Sequence, residues 1–190
     1  DGEFARAAHA IMELFAREQH RATASTYTFQ RENCPPTDTL TNDGRGAPVA
    51  ETGMIWSGFR PSDDACELGL FIPANMFAAV ALGYLAEIAT GPLADAELAA
   101  AAQTMRAEVE DGLRRYATTE HPGFGTIYAY ETNGFGNYVL MDDAGVPSLL
   151  SAPYLGFCAA DDPTYQNTRR WALSEANPFF FSGSAATGIG

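Results

Sequence analysis

The chain has 190 residues, of which 46% are hydrophobic, and a chain of this length buries roughly 70% of the surface it exposes when unfolded. Its net charge of −13, from 24 acidic against 11 basic residues, argues against partners that need a basic face, nucleic acid and anionic membrane among them. Every base is arginine, and without lysine neither Schiff-base chemistry nor a phosphate-binding P-loop is open to it.

In chain order, residues 4–19 place Phe4, Ala8, Ile11, Leu14 and Phe15 at helical spacing, which predicts a packing helix with one buried stripe. Residues 23–50 lose that period. Pro35, Pro36, Gly44, Gly46 and Pro48 forbid a continuous helix, and so long a loop in a compact domain is most often a binding loop. Within it Tyr27, Phe29 and Arg31 alternate as a short extended piece would.

Residues 52–65, TGMIWSGFRPSDDA, concentrate an indole, a guanidinium and two adjacent carboxylates. Trp56 and Phe59 offer apolar faces, Arg60 a fork of permanently charged donors, and Asp63 with Asp64 acceptors or one transferable proton. A sugar asks for all three: an aromatic face for its C–H groups, bidentate partners for its hydroxyls, and a carboxylic acid beside the glycosidic oxygen. The same residues also admit a structural reading, with Pro61, Ser62 and Asp63 as a turn or helix N-terminus and Arg60 paired to Asp63 or Asp64.

Next, Met76, Phe77, Val80, Ala81, Tyr84, Leu85 and Ile88 line one face of a predicted helix that Gly91 and Pro92 end. Ala78, Ala79, Gly83 and Ala86 on its other side predict close contact with a neighbour. Asp95 is the expected N-cap of a surface helix with the stripe Leu98, Ala102, Met105, Val109, Leu113 and Tyr116, closed by Arg114 and Arg115. The two helices make an αα-hairpin.

Residues 127–131 and 138–141 are β-prone around Asn133, Gly134 and Gly136, which predicts a hairpin whose alternation puts Tyr128 and Tyr130 on one side. Asp142 and Asp143 form a second acidic pair, read either as substrate contacts or as caps, ahead of a short apolar helix over residues 146–157. Asp162 and Pro163 open a last helix, carrying Tyr165 and Trp171, that Asn177 and Pro178 end. The tail Phe179, Phe180, Phe181 is too aromatic to lie free and needs a partner.

Cys34, Cys66 and Cys158 are too widely spaced for a redox or zinc motif and read as small core residues. His9, His20 and His121 show no metal spacing, so neither a metal nor a cofactor is expected. No secretory leader pattern precedes the first helix and no apolar run reaches the ~18 residues of a membrane span, which predicts a soluble protein in the bacterial cytoplasm. The chain begins at Asp1 without Met and stops at Gly190 just after an aromatic run, so both ends read as cut.

Four blocks together resemble glycoside hydrolase family 125, the metal-independent exo-α-1,6-mannosidases. They are TDTLTNDGRGAPV from Thr37, TGMIWSGFRPSDDA with the following IPANMFAAVAL, YAYETNGFGNYVLMDDAGVPSLLSAPYLG from Tyr128, and SEANPFFFSGSAATGIG from Ser174. The resemblance implies an all-α fold, a section of an (α/α)6 toroid with a short β-hairpin excursion, in which residues 1–190 are one incomplete catalytic domain. It implies hydrolysis of terminal mannose with inversion on a mannose-containing oligosaccharide or N-glycan. The general acid maps to Asp63 or Asp64, and the general base is a glutamate expected beyond Gly190. Trp56, Arg60, Asn137, Asp142 and Asp143 are the candidate substrate contacts. Neighbouring aspartates cannot themselves be the two carboxyls of an inverting enzyme, which stand roughly 6.5–9.5 Å apart around a water.

Two further readings compete. A non-catalytic toroid that binds mannosides would share the aromatic and polar cleft. More remotely, Asp63, Asp64 and Glu67 in DDACE resemble the magnesium-binding motif of an all-α prenyl-diphosphate enzyme, although Pro61 interrupts the helix such a motif needs and no second acidic motif appears.

Overall fold

The computed structural model describes residues 2–190; Asp1 lies outside the described residues. Among them the long elements are helices, joined by extended loops and seven short strands. Helix α1 spans Gly2–Gln19, a single turn α2 spans Thr41–Gly44, and α3 (Ile72–Thr90) and α4 (Ala96–Tyr116) form an αα-hairpin. Helix α5 spans Pro163–Ala172. The strands are β1 (Leu70–Phe71), β2 (Thr118–His121), β3 (Gly125–Tyr128), β4 (Glu131–Thr132), β5 (Tyr138–Val139), β6 (Phe180–Ser182) and β7 (Thr187–Ile189).

The hairpin of α3 and α4 holds the centre of the core. Leu82, Ala89, Leu98, Ala102 and Val109 are almost completely buried, and each Leu or Val so placed contributes about 1.5–3 kcal/mol relative to exposure. Small residues let the helices approach closely: a Cβ on Gly83 would stand 2.7 Å from the Arg106 Nη1 atom, and on the side of α4 that meets residues 52–54 one on Gly112 would stand 2.6 Å from the Thr52 carbonyl oxygen. As expected, Asp95 caps α4, its carboxylate accepting from the Leu98 N–H at 2.9 Å. Asp162 does the same for α5 through the Tyr165 N–H at 2.8 Å.

Several expectations are corrected. The small-residue side of α3 makes the expected close contact, with Ala78, Ala79 and Ala86 buried, but of the large apolar face Met76 is buried while Phe77, Tyr84 and Ile88 are exposed. The stripe of α1 likewise faces outward at Phe4, Ile11 and Leu14, while Ala8 and Met12 pack inside. Helix α3 does have the length and hydropathy of a membrane span, but 56% of its apolar window is buried within the protein, as in a core helix. Residues 146–157 form turns instead of a helix, and α5 ends at Ala172, before Asn177. A second β-hairpin, β2 with β3, precedes the expected one. Of the cysteines only Cys66 is buried; Cys34 and Cys158 are half-buried.

The connections differ sharply at the two ends of the helical hairpin. Residues 91–95 join α3 to α4, whereas residues 20–71 lead into the start of α3 and residues 117–162 leave the finish of α4. Since α3 and α4 run antiparallel, both long segments meet at one end. There β1 from the first pairs with β4 from the second, and β4 pairs with β5, making a three-stranded antiparallel sheet. The backbone amide of Ala50 also donates to the Asn133 carbonyl at 2.9 Å.

Candidate active site

The two acidic residues of the central motif sit at the tip of a tight hairpin. Phe59 and Ala65 form a bridge, the Cys66 amide donates to the Gly58 carbonyl at 2.9 Å, and the Ser57 amide donates to the Gly69 carbonyl at 2.8 Å. The turn is closed by the Arg60 amide on the Asp64 carbonyl at 2.8 Å and the Asp63 amide on the Arg60 carbonyl at 3.0 Å. Asp63 adopts a left-handed φ of 68°, which Asp tolerates better than most residues. Its side chain is exposed; Asp64 is half-buried and accepts from the Ser62 hydroxyl at 2.8 Å. The segment 63–67 is therefore a hairpin arm and not a helix turn, which removes the geometry of the magnesium-motif reading.

Arg60 pairs with neither aspartate. Its Nε donates to Glu131 Oε1 at 2.6 Å and an Nη to Glu67 at 3.3 Å, while its guanidinium lies 5.5 Å from the Tyr130 ring centroid. Burial works against the Arg60 charge, yet the Glu131 charge and hydrogen bond outweigh it and hold its pKa above the ordinary value. Glu131 is fully buried, and its other oxygen accepts from the Leu68 N–H at 2.8 Å. Burial and the adjacent Glu131 push the Cys66 thiol up, so it stays protonated and inert.

Trp56 is also committed to the protein. It is nearly buried, with the Arg21 guanidinium 3.7 Å above its ring, and added Cβ atoms on Gly46, Gly58 or Gly69 would meet it at 2.6–3.1 Å. Arg21 in turn is held by Glu18, Ser25 and the carbonyls of Tyr27 and Arg45. One edge of Trp56, with Phe59, Tyr27, Leu14 and Phe77, lines a groove of about 630 Å³ between α1 and α3.

The second acidic pair divides. Asp142 is buried and accepts from the amides of Leu149 at 2.8 Å and Leu150 at 3.0 Å, the capping alternative. Burial pushes its pKa up to about 7, against the pull of those amides. Asp143 accepts from the Gly145 amide at 3.0 Å, and Gly145 lies against Pro61, where a Cβ would come within 3.0 Å. Tyr130 is fully buried with no hydrogen-bond partner for its hydroxyl; burial and the nearby Asp143 charge raise its pKa. Asn137 is exposed on the turn between β4 and β5, its amide 3.4 Å from the Asn133 Oδ1 atom.

The site thus brings Asp63, Asp64, Arg60 and Asp143 to one loop end; the polar groups of Arg60 and Asp142 go to protein partners, while the buried indole N–H of Trp56 has no partner among the described residues. Glu131, at the end of the β-prone run 127–131, is the residue that sequence reasoning missed. Tyr128 and Tyr130 do not share one side of a strand, because β3 stops at Tyr128 and β4 starts at Glu131. Among the described residues no cluster of three His, Cys, Asp or Glu side chains is arranged to hold a metal ion.

The sequence profile of a family described as metal-independent alpha-mannosidase (GH125) matches residues 1–190. A Streptococcus pneumoniae metal-independent alpha mannosidase, solved as a non-productive substrate complex with alpha-1,6-mannobiose, superimposes with a TM-score of 0.96 at 47% identity. The match covers 100% of this chain and 45% of that one. The meiotically up-regulated gene 157 protein of Schizosaccharomyces pombe is 46% identical over 168 residues, covering 86% of this chain and 32% of the yeast protein. The chain therefore spans less than half the length of either relative.

Proposed function

We propose, for a chain that belongs to the metal-independent alpha-mannosidases of glycoside hydrolase family 125, that it supplies the acid half of an exo-acting α-1,6-mannosidase site. In this reading it is a section of an (α/α)6 toroid within one catalytic domain, and the protein is soluble and cytoplasmic. The observation that carries the reading is the Asp63–Asp64 hairpin tip, presented where both long loops meet, in a chain 47% identical to a mannosidase complexed with alpha-1,6-mannobiose. One of the two aspartates donates a proton to the leaving glycosidic oxygen; the other shapes the turn.

The base is a glutamate outside these residues. Glu67 and Glu131, the glutamates in contact with the hairpin, both hold Arg60, and neither is placed to hold a water across the sugar from the tip. A base on a separate part of the domain is compatible with the wide spacing of an inverting enzyme. Asn137 and Asp143 are the substrate contacts we propose, while Trp56, Arg60 and Asp142 shape the loops that carry them. The substrate class is a mannose-terminated oligosaccharide of the N-glycan type.

The test uses the protein at the full length of the family. It should release mannose from α-1,6-mannobiose with the β-anomer appearing first by NMR, and either Asp63→Asn or Asp64→Asn should abolish that release. Full activity in both variants, or mannoside binding without turnover by the full-length protein, sinks the reading.

A further inference from the structure

We infer that Glu131 is a positioning residue for the acid-bearing hairpin, a role that rests on the proposed function above. The argument starts from where its two oxygens go. One accepts from Arg60 Nε at 2.6 Å on the arm entering the turn, and the other accepts from the Leu68 N–H at 2.8 Å on the arm leaving it. A single carboxylate therefore ties both arms, with Asp63 and Asp64 between them.

The carboxylate is itself fixed. Glu131 lies in β4, the central strand of the three-stranded sheet, opposite Phe71 on one side and Val139 on the other. Its side chain is fully buried, so its place is set by the sheet and not by solvent. Tyr130, one residue earlier, packs edge-on against Phe71 at 4.8 Å between ring centroids and offers its face to Arg60. Beyond the turn, Gly145 closes on Pro61. The tip is thus braced from the opposite loop at its base and at its proline.

Stability alone does not account for this arrangement. A buried ion pair spends desolvation energy that a well-packed apolar pair would not, and such pairs are best attested where they fix one arrangement among several. A general acid needs that service, since it must sit within roughly 2.6–3.2 Å of the leaving oxygen, and a misplacement of about 1 Å can cost on the order of 100-fold in rate. Glu131 supplies no proton to the substrate, since both its oxygens are taken up by Arg60 and the Leu68 N–H.

The experiment compares two substrates on the full-length protein: α-1,6-mannobiose, whose departure requires protonation, and α-mannosyl fluoride, whose leaving group does not depend on a strong acid. The ratio of their kcat values is independent of how much enzyme is folded. Glu131→Gln keeps the shape and an acceptor for the Leu68 N–H but removes the negative charge that faces Arg60. It should lower kcat on mannobiose by roughly 10–100-fold, with KM little changed and the fluoride rate within about 3-fold of wild type. Arg60→Lys, which retains a buried cation should Glu131→Gln fail to fold, should shift the ratio in the same direction. An unchanged ratio in a folded variant overturns the inference. Asp63→Asn and Asp64→Asn are run alongside: if one shifts the ratio and the Glu131 and Arg60 variants do not, only the positioning role falls. If neither aspartate variant shifts it, the acid assignment falls and takes this inference with it.

Discussion

Replacing Gly69 by alanine tests whether the base of the acid-bearing hairpin is shaped by its contact with Trp56. Gly69 has φ +79°, and a Cβ built there would stand 2.6 Å from Trp56 Nε1, 2.9 Å from Cδ1 and 3.2 Å from Val49 Cγ1. The left-handed backbone costs an alanine about 1–2 kcal/mol. The contact is about 1 Å inside ordinary packing distance, and overpacking of that kind typically costs about 1–3 kcal/mol. The indole cannot swing away, because Gly46 and Gly58 approach its other edge and Arg21 covers its face. Against this, alanine restricts the unfolded chain by about 0.4–1 kcal/mol, leaving a net destabilisation of about 1–4.5 kcal/mol. For a chain of this size that lowers Tm by roughly 2–18 °C. The assay is thermal unfolding followed by circular dichroism, with Gly188→Ala as control, since nothing lies within 4 Å of a Cβ there. A Gly69→Ala protein melting within about 2 °C of wild type would refute the idea that Trp56 is wedged against the hairpin.

The remaining predictions are simpler. Asp142 has a folded pKa of about 7 against about 3.9 unfolded, so its protonated form contributes stability fully below about pH 4 that is lost as pH rises through about 7. Urea titrations at both ends of that window should show wild type losing on the order of 4 kcal/mol relative to Asp142→Asn; a pH-independent difference contradicts the burial argument. Asp162→Ala removes the cap of α5 and should cost about 1 kcal/mol by the same titration at neutral pH. Arg21→Ala leaves Glu18, only 7% exposed, with Ser25 as partner, and should cost about 3–5 kcal/mol, read as an earlier denaturant midpoint.

Local rules carried the helices well, because α4 and α5 announce themselves by a capping aspartate and a regular stripe that depend only on near neighbours. The same rules found the small-residue side of α3 but overstated how far its large apolar face is covered. Periodicity reports that a face is apolar; it does not say which partner reaches it, and α4 seats against alanines and Gly83 because backbones come closest there. At the site, the chemistry of residues 52–65 was legible as a cluster of types. The connection of Arg60 to Glu131 was not, since the partners lie 71 positions apart and meet only through the pairing of β1 with β4. Asp142 and Asp143 illustrate the same limit. Adjacent in sequence and identical in chemistry, they differ because the amides of Leu149 and Leu150 turn back onto one and Gly145 onto the other.

The short link at residues 91–95 has a practical consequence. It closes the end of the helical hairpin remote from Asp63 and Asp64, with Leu93 donating to the Ile88 carbonyl at 3.1 Å and Ala94 in a left-handed conformation at φ 51°. A fluorophore, affinity handle or solid support coupled at exposed Pro92 or Ala94 would stand about 28 Å from the loop end, the length of a 19-residue helix such as α3. Immobilised by that end, the molecule presents the loops that carry Asp63 and Asp64 outward to whatever flows past.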